Sequence, residues 1–170
     1  CINYFTEYMN QKNGKNSLGL DSIFEDLENP IDLFKNWFKK AEETEINDPN
    51  AVALGTADLK SQPSVRMVLL KGLSNEGFVF YTNFNSKKGS DIKSNQQASM
   101  CFHWKSLRRQ VRVIGKVQQV NKKESDEYFA SRPYKNRISA WASNQSEKLE
   151  SRDTFLKKIE EFEKKYPNQN

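Results

Sequence analysis

The chain has 170 residues and a mass of 19.8 kDa, with 36% hydrophobic and 12% aromatic residues. That length suits one domain with its own core, and 11 Phe, 6 Tyr and 3 Trp exclude disorder as a global description. Uninterrupted apolar runs such as Val68 to Leu70 fall far short of the roughly 20 residues a membrane helix needs. No charged-then-apolar leader opens the sequence, so a soluble protein is expected.

Two cysteines, Cys1 and Cys101, cannot build a disulfide framework, and neither has metal-ligand spacing. A cytoplasmic protein without a metal is the expectation. Lys+Arg 27 against Asp+Glu 22 gives a net charge of +5 and a pI near 9.1. That excess fits either a solvated surface or an anionic partner: nucleic acid, a phosphorylated metabolite or a phosphate-bearing cofactor.

Residues 1–29 lack sustained periodicity and carry the turn-rich stretch Asn10 to Gly19, which predicts a mobile arm. From Pro30 the pattern becomes helical. Asn29 can cap, Pro30 suits the first helical position, and Phe34, Trp37, Phe38 and Ala41 recur at helical spacing, predicting about 15 residues of helix that end before Asp48-Pro49.

Short β-type runs follow: AVALGTA (51–57), SVRMVLLK (64–71), GFVFYTN (77–83), ASMCFHW (98–104) and RQVRVIGKVQQV (109–120). In the last run Val111, Val113, Gly115 and Val117 alternate with Gln110, Arg112, Ile114 and Lys116, so one face is expected to be buried. SKKGSDIKSNQ (86–96) has the length and caps of a short helix. The pattern predicts a mainly β chain with flanking helices, its five strands forming a small antiparallel barrel.

Beyond Val120, Asn121 and Glu124 read as a capping pair for a helix carrying Tyr128 and Phe129. A second helical segment spans 135–143. A third, 146–166, aligns Phe155, Ile159, Phe162 and Tyr166 on one stripe.

The single histidine, His103, has no serine elbow, Walker loop or paired carboxylates around it in sequence, which argues against hydrolytic triads and metal hydrolysis. Cationic and hydroxyl groups gather instead at strand ends and helix starts. Arg66 and Lys71, Tyr81-Thr82, and Ser86-Lys87-Lys88 form one phosphate-capable group; Tyr128, Arg132 and Asn136, beside Arg137, form another. Solvated turns and surface ion pairs explain the same residues. Arg66 and Lys71 stand an odd number of positions apart, so on a regular strand they face opposite ways and need either different ligands or a bulge.

At RMVLLK (66–71), FVFYTNFNSKKG (78–89), RRQVRVIGKV (108–117), YFASRP (128–133) and ISAWASNQS (138–146), the sequence closely resembles the pyridoxine (pyridoxamine) 5′-phosphate oxidase family. The likeness runs from about Asn29 to Phe155, with five motifs in the family's order. It implies an FMN-binding split β-barrel and a homodimer with flavin at the subunit interface. It also implies oxidation of pyridoxamine or pyridoxine 5′-phosphate to pyridoxal 5′-phosphate, with dioxygen as acceptor and peroxide as by-product.

By the same resemblance, FMN falls to Arg66, Tyr81, Thr82, Lys87, Lys88, Gln110, Gln145 and Ser146, and the substrate phosphate to Lys71, Tyr128, Arg132 and Asn136. Asn136 stands where the family usually has serine, and Lys87 where it often has arginine, which keeps the charge but loses the planar fork. Family members continue with a segment bearing a tryptophan and an Arg-x-His pattern. Nothing after Tyr166 supplies it, so the catalytic residues are left open and a continuation beyond Asn170 is expected. Two other functions fit the residues: a non-oxidase FMN-binding split barrel, and a basic nucleic-acid-binding barrel.

Overall fold

The computed structural model describes residues 29–143 and 151–167. The predicted N-terminal arm, apart from Asn29, lies outside them.

Helix α1 (Pro30–Thr44) starts as expected. The Asn29 side chain accepts a hydrogen bond from the Ile31 amide at 2.9 Å, and Pro30 needs no partner at the first turn. Its buried residues Leu33, Phe34, Trp37 and Ala41 share one face. Phe34 meets Phe78 and Phe102 edge-on, each at 4.9 Å between ring centroids, so the helix is pinned to the sheet by aromatic contacts.

The strands are β1 (Ala51–Ala57), β2 (Pro63–Ser74), β3 (Gly77–Phe80), β4 (Gln97–Trp104) and β5 (Arg109–Lys116). They form one antiparallel sheet in the order β3-β2-β1-β4-β5. Alternation decides which residues form the core. Val52, Leu54, Val68, Leu70, Phe80, Met100, Phe102, Trp104 and Val111 point inward and are buried. Because Leu54 is paired with both Arg66 and Met100, the inward face of three strands is locked in one register.

Three strand boundaries differ from the sequence expectation. β2 runs on to Ser74, with a register shift between Leu70 and Gly72 that leaves Lys71 as the extra residue of a bulge. β3 stops at Phe80 rather than 83. Beyond it the Asn83 carbonyl and side chain accept from the amides of Ser86 and Asn85, which turns the chain into helix α2 (Lys87–Ser94). β5 ends at Lys116, where the Val117 amide crosses to the Gln96 carbonyl at 2.7 Å.

The remaining helices are α3 (Lys122–Ser131), α4 (Tyr134–Ala142) and α5 (Arg152–Lys165). The Asn121 side chain caps α3 by accepting from the Glu124 amide at 2.8 Å, and Ser151 caps α5 through Thr154. The α5 residues Phe155, Ile159 and Phe162 are half-buried, as their spacing predicts. No helix among the described residues is long and apolar enough to cross a membrane.

Candidate functional site

Two features at the ends of β2 and β3 carry the predicted site residues. The first is a polar cluster under the N-terminus of α2. The second is a cleft between the segment after β3 and helices α3 and α4.

In the cluster, Arg66 lies on the inward-facing side of β2, and Nη1 donates to the Leu54 carbonyl at 2.9 Å and to Thr56 Oγ1 at 2.8 Å. Its Nη2 donates to Ser64 Oγ. Thr56 and Ser64 each pass a hydrogen bond on to Asp91 Oδ2, at 2.8 and 3.0 Å, and Lys87 Nζ closes on Asp91 Oδ1. Lys87 also has Asp58 at 3.8 Å. Ser86 caps α2 by accepting from the Gly89 amide, and Lys88 Nζ donates to the same Ser86 oxygen at 3.1 Å.

Burial shapes the charges here. It lowers the pKa of Arg66, with Asp91 pulling the other way, and lowers that of Lys88, where Arg66 adds like-charge repulsion. Burial pushes the Asp91 carboxyl up, but hydrogen bonds from Lys87, Thr56 and Ser64 outweigh it and leave the pKa below the usual value. Asp91, Thr56 and Ser64 were not singled out in the sequence. The signal was there: Asp91 follows Lys87 by four positions, one helical turn.

The cleft has a volume of about 550 Å³ and is lined by Tyr81, Thr82, Tyr128, Arg132, Asn136 and Phe155 among others. Tyr81 and Tyr128 stack face to face, with centroids 3.5 Å apart and planes 5° from parallel. Burial raises the Tyr81 pKa, and the charge of Glu124 adds to it, so its hydroxyl is held protonated. Thr82 Oγ1 is buried and has no hydrogen-bond partner among the described residues. Such a group is costly unless something in the cleft bonds it. Ser139 and Ser143, on and just after α4, supply further hydroxyls; both lie within the ISAWASNQS stretch, but neither was assigned to a ligand.

The structure therefore gathers Arg66, Lys87 and Lys88 in one place, and Tyr81, Thr82, Tyr128, Arg132 and Asn136 in another. Two predicted residues stand apart. Lys71 lines a separate cleft with Phe38, Glu42, Pro49 and Asn50, and Gln110 is exposed on β5 opposite His103. The parity argument holds for the β2 pair: Arg66 shares the face of buried Val68 and Leu70, whereas Lys71 is exposed. Gln145 and Ser146 lie outside the described residues. Arg137, noted beside Asn136, belongs to a third cleft with Trp141 and Tyr166.

The outward sheet face carries a feature that sequence motifs did not mark. Val65 and Met67 on β2 are 71% and 63% exposed, and Leu69 and Ile114 are also exposed. Val65, Met67 and Leu69 follow one another along the outward side of β2, an exposed apolar row of the kind that marks contact surfaces, and Ile114 stands on the same sheet face on β5, with β1 and β4 between.

Comparison with known proteins places these features in a family. The family profile described as Pyridoxamine 5'-phosphate oxidase matches residues 38–166. A pyridoxine/pyridoxamine 5'-phosphate oxidase of Pelagibacter ubique is 58% identical over 158 residues, spanning 93% of this chain and 76% of that protein. The protein of the same name from Sinorhizobium fredii is 58% identical over 139 residues, spanning 82% of this chain and 68% of its own length. Among solved structures, PhzG from Burkholderia lata, crystallised with tetrahydrophenazine-1-carboxylic acid, superposes with a TM-score of 0.79 at 24% identity, covering 87% of this chain and 73% of that one. A pyridoxamine 5'-phosphate oxidase-related, FMN-binding protein from Nostoc punctiforme gives a TM-score of 0.60 at 14% identity, covering 75% of this chain and 71% of that one. At these identities the structural matches speak for the fold, the antiparallel split barrel. With 129 consecutive positions under the family profile and relatives at 58% identity, the chain belongs to the pyridoxamine 5′-phosphate oxidase family.

Proposed function

We propose that this chain is an FMN-dependent oxidase that converts pyridoxamine and pyridoxine 5′-phosphate to pyridoxal 5′-phosphate, with dioxygen as the electron acceptor and hydrogen peroxide as by-product. The observation that carries it is the meeting of Tyr81 and Thr82 with Tyr128, Arg132 and Asn136 in one cleft, in a chain 58% identical to a relative of that name.

The residues fit FMN. Arg66 uses three of its five N–H donors internally, leaving two for a phosphate, and Lys88 and Lys87 stand beside it. The buried Thr82 hydroxyl, without a partner among the described residues, suits the polar edge or side chain of a flavin. FMN supplies the two-electron redox chemistry when bound. The protein's part is to bind and orient. Arg132 offers a planar fork to the substrate phosphate, Tyr128 and Asn136 supply hydroxyl and amide donors, and the cleft between α3 and α4 keeps the pyridine ring out of bulk water.

A homodimer completes this assignment. Lys71 and Gln110 are both exposed, away from the cleft of their own chain, and the exposed apolar residues Val65, Met67, Leu69 and Ile114 share the sheet's outer side with them. A second copy packed on that face would bury the patch and bring these two residues toward a neighbouring cleft. A cytoplasmic setting is part of the same proposal.

The test is a flavin titration followed by turnover. The expected result is quenching of FMN fluorescence with riboflavin much weaker, then formation of pyridoxal 5′-phosphate and peroxide from pyridoxamine 5′-phosphate. Flavin binding without turnover by either substrate would favour a non-oxidase FMN protein. Salt-sensitive oligonucleotide binding without flavin binding would favour the nucleic-acid reading.

A further inference from the structure

Asp91 is 2% exposed and sits in a cluster proposed to receive an anion, where a carboxylate should repel the ligand. Its hydrogen bonds explain why it is there. Arg66 can only donate, so Thr56 and Ser64 must accept from it; each hydroxyl then has one proton left, and both point that proton at Asp91 Oδ2. The other oxygen, Oδ1, receives Lys87 Nζ. One buried carboxylate thus fixes the polarity of two hydroxyls, through them the plane of one guanidinium, and directly the position of one ammonium. Lys88 is held from a different atom, Ser86 Oγ.

We propose that Asp91 is a positioning residue for the FMN phosphate: acting through Thr56 and Ser64 on Arg66, and directly on Lys87, it holds two cations in the geometry that receives a phosphate monoester. The proposal rests on the FMN reading above. Its physical basis is preorganisation. Long cationic side chains lose rotamer entropy when they close on a ligand, and a site that has already fixed them binds more tightly despite the added negative charge. An asparagine cannot do the same work, because an amide that accepts both hydroxyl protons through its oxygen turns its NH2 toward Lys87, donor against donor.

The experiment measures dissociation constants for FMN and riboflavin by flavin fluorescence. The proteins are the wild-type chain, Asp91→Asn, Ser64→Ala and the double variant, each checked for its thermal midpoint. Asp91→Asn is expected to weaken FMN about tenfold while riboflavin changes less than about twofold. Ser64→Ala shifts FMN in the same direction. The double variant loses no more than Asp91→Asn alone, because the carboxylate's hold on Arg66 runs through the serine, so both substitutions break the same link.

Equal or tighter FMN binding by Asp91→Asn would overturn the proposal, showing that charge rather than geometry dominates. Equal loss for FMN and riboflavin would also overturn it, as would full additivity in the double variant. If Asp91→Asn does not fold, Ser64→Ala decides: no FMN-selective loss there overturns the proposal. A wild-type chain that binds FMN and riboflavin equally would refute the phosphate reading itself, before any variant is compared.

Discussion

Tyr81, one residue past the end of β3, and Tyr128, on α3, stack with their ring centroids 3.5 Å apart and their planes within 5° of parallel. The two are 47 positions apart in sequence and are proposed to serve different ligands, FMN for Tyr81 and the substrate phosphate for Tyr128. Their contact makes the two subsites share a wall.

Replacing Tyr128 separates the ring from the hydroxyl. Tyr128→Phe keeps the stack and should raise the substrate KM with little change in FMN affinity. Tyr128→Ala removes both, and FMN affinity should fall as well, by about fivefold for a stacking contribution of ~1 kcal/mol. Parallel substrate kinetics and flavin titrations check this; identical FMN affinities in the two variants would show that the rings do not couple the subsites.

Arg132→Ala should weaken substrate binding far more than FMN binding. A charge-assisted hydrogen bond is worth ~1.5–3 kcal/mol, so the substrate KM should rise by roughly ten- to a hundredfold. Titrations showing equal loss of both affinities would move Arg132 out of the substrate site.

Gly89, in the first turn of α2, has no room for a side chain. A Cβ there would lie 2.4 Å from the Phe84 carbonyl oxygen and 2.7 Å from that of Asn83, both backbone atoms of the turn that follows Thr82. Gly89→Ala should cost about 1–3 kcal/mol of stability and lower the thermal midpoint by several degrees, with weaker FMN binding. An unchanged midpoint would mean that this turn yields freely.

Acid should loosen the cluster through Asp91. Its pKa is held below the ordinary aspartate value in the folded chain, so its contribution to stability is present above about pH 4 and is lost as the pH falls through the folded value. Thermal midpoints measured from neutral pH downward should therefore drop less steeply for Asp91→Asn than for the wild type. Parallel curves would assign the acid sensitivity to other groups.

Met67→Glu places a charge in the middle of the exposed sheet face. Sedimentation should show the wild type as a dimer and this variant shifted toward monomer, with a circular dichroism spectrum that does not change because the side chain is already 63% exposed. A dimer that survives the substitution would place the interface elsewhere.

The local elements were legible because their signals are local. Asn29-Pro30 starts α1 and Asn121 caps α3, and β1 and β4 fall within a residue of the expected bounds. The ordered motifs from Arg66 to Ser146 carried the family. The residues Arg66, Tyr81, Thr82, Lys87, Lys88, Tyr128, Arg132 and Asn136 were also marked in the sequence, three of them on β2 or just past β3 and the rest on or beside helices.

Only the tertiary structure decided which of them meet. The end of β3 is set by where Tyr81 finds Tyr128 and where Asn83 turns the chain, and neither contact is visible in β-propensity. The bulge at Lys71 is a pairing property, since it exists only relative to the register of β3. Asp91 was not singled out in the sequence; its burial depends on β1 and β2 bringing Thr56 and Ser64 beneath α2. The outer apolar face emerges only when the strands are placed side by side. A sequence specifies which groups are present and their local geometry, whereas long-range packing decides which charges lose water and which partners they gain, and that sets the chemistry of a site.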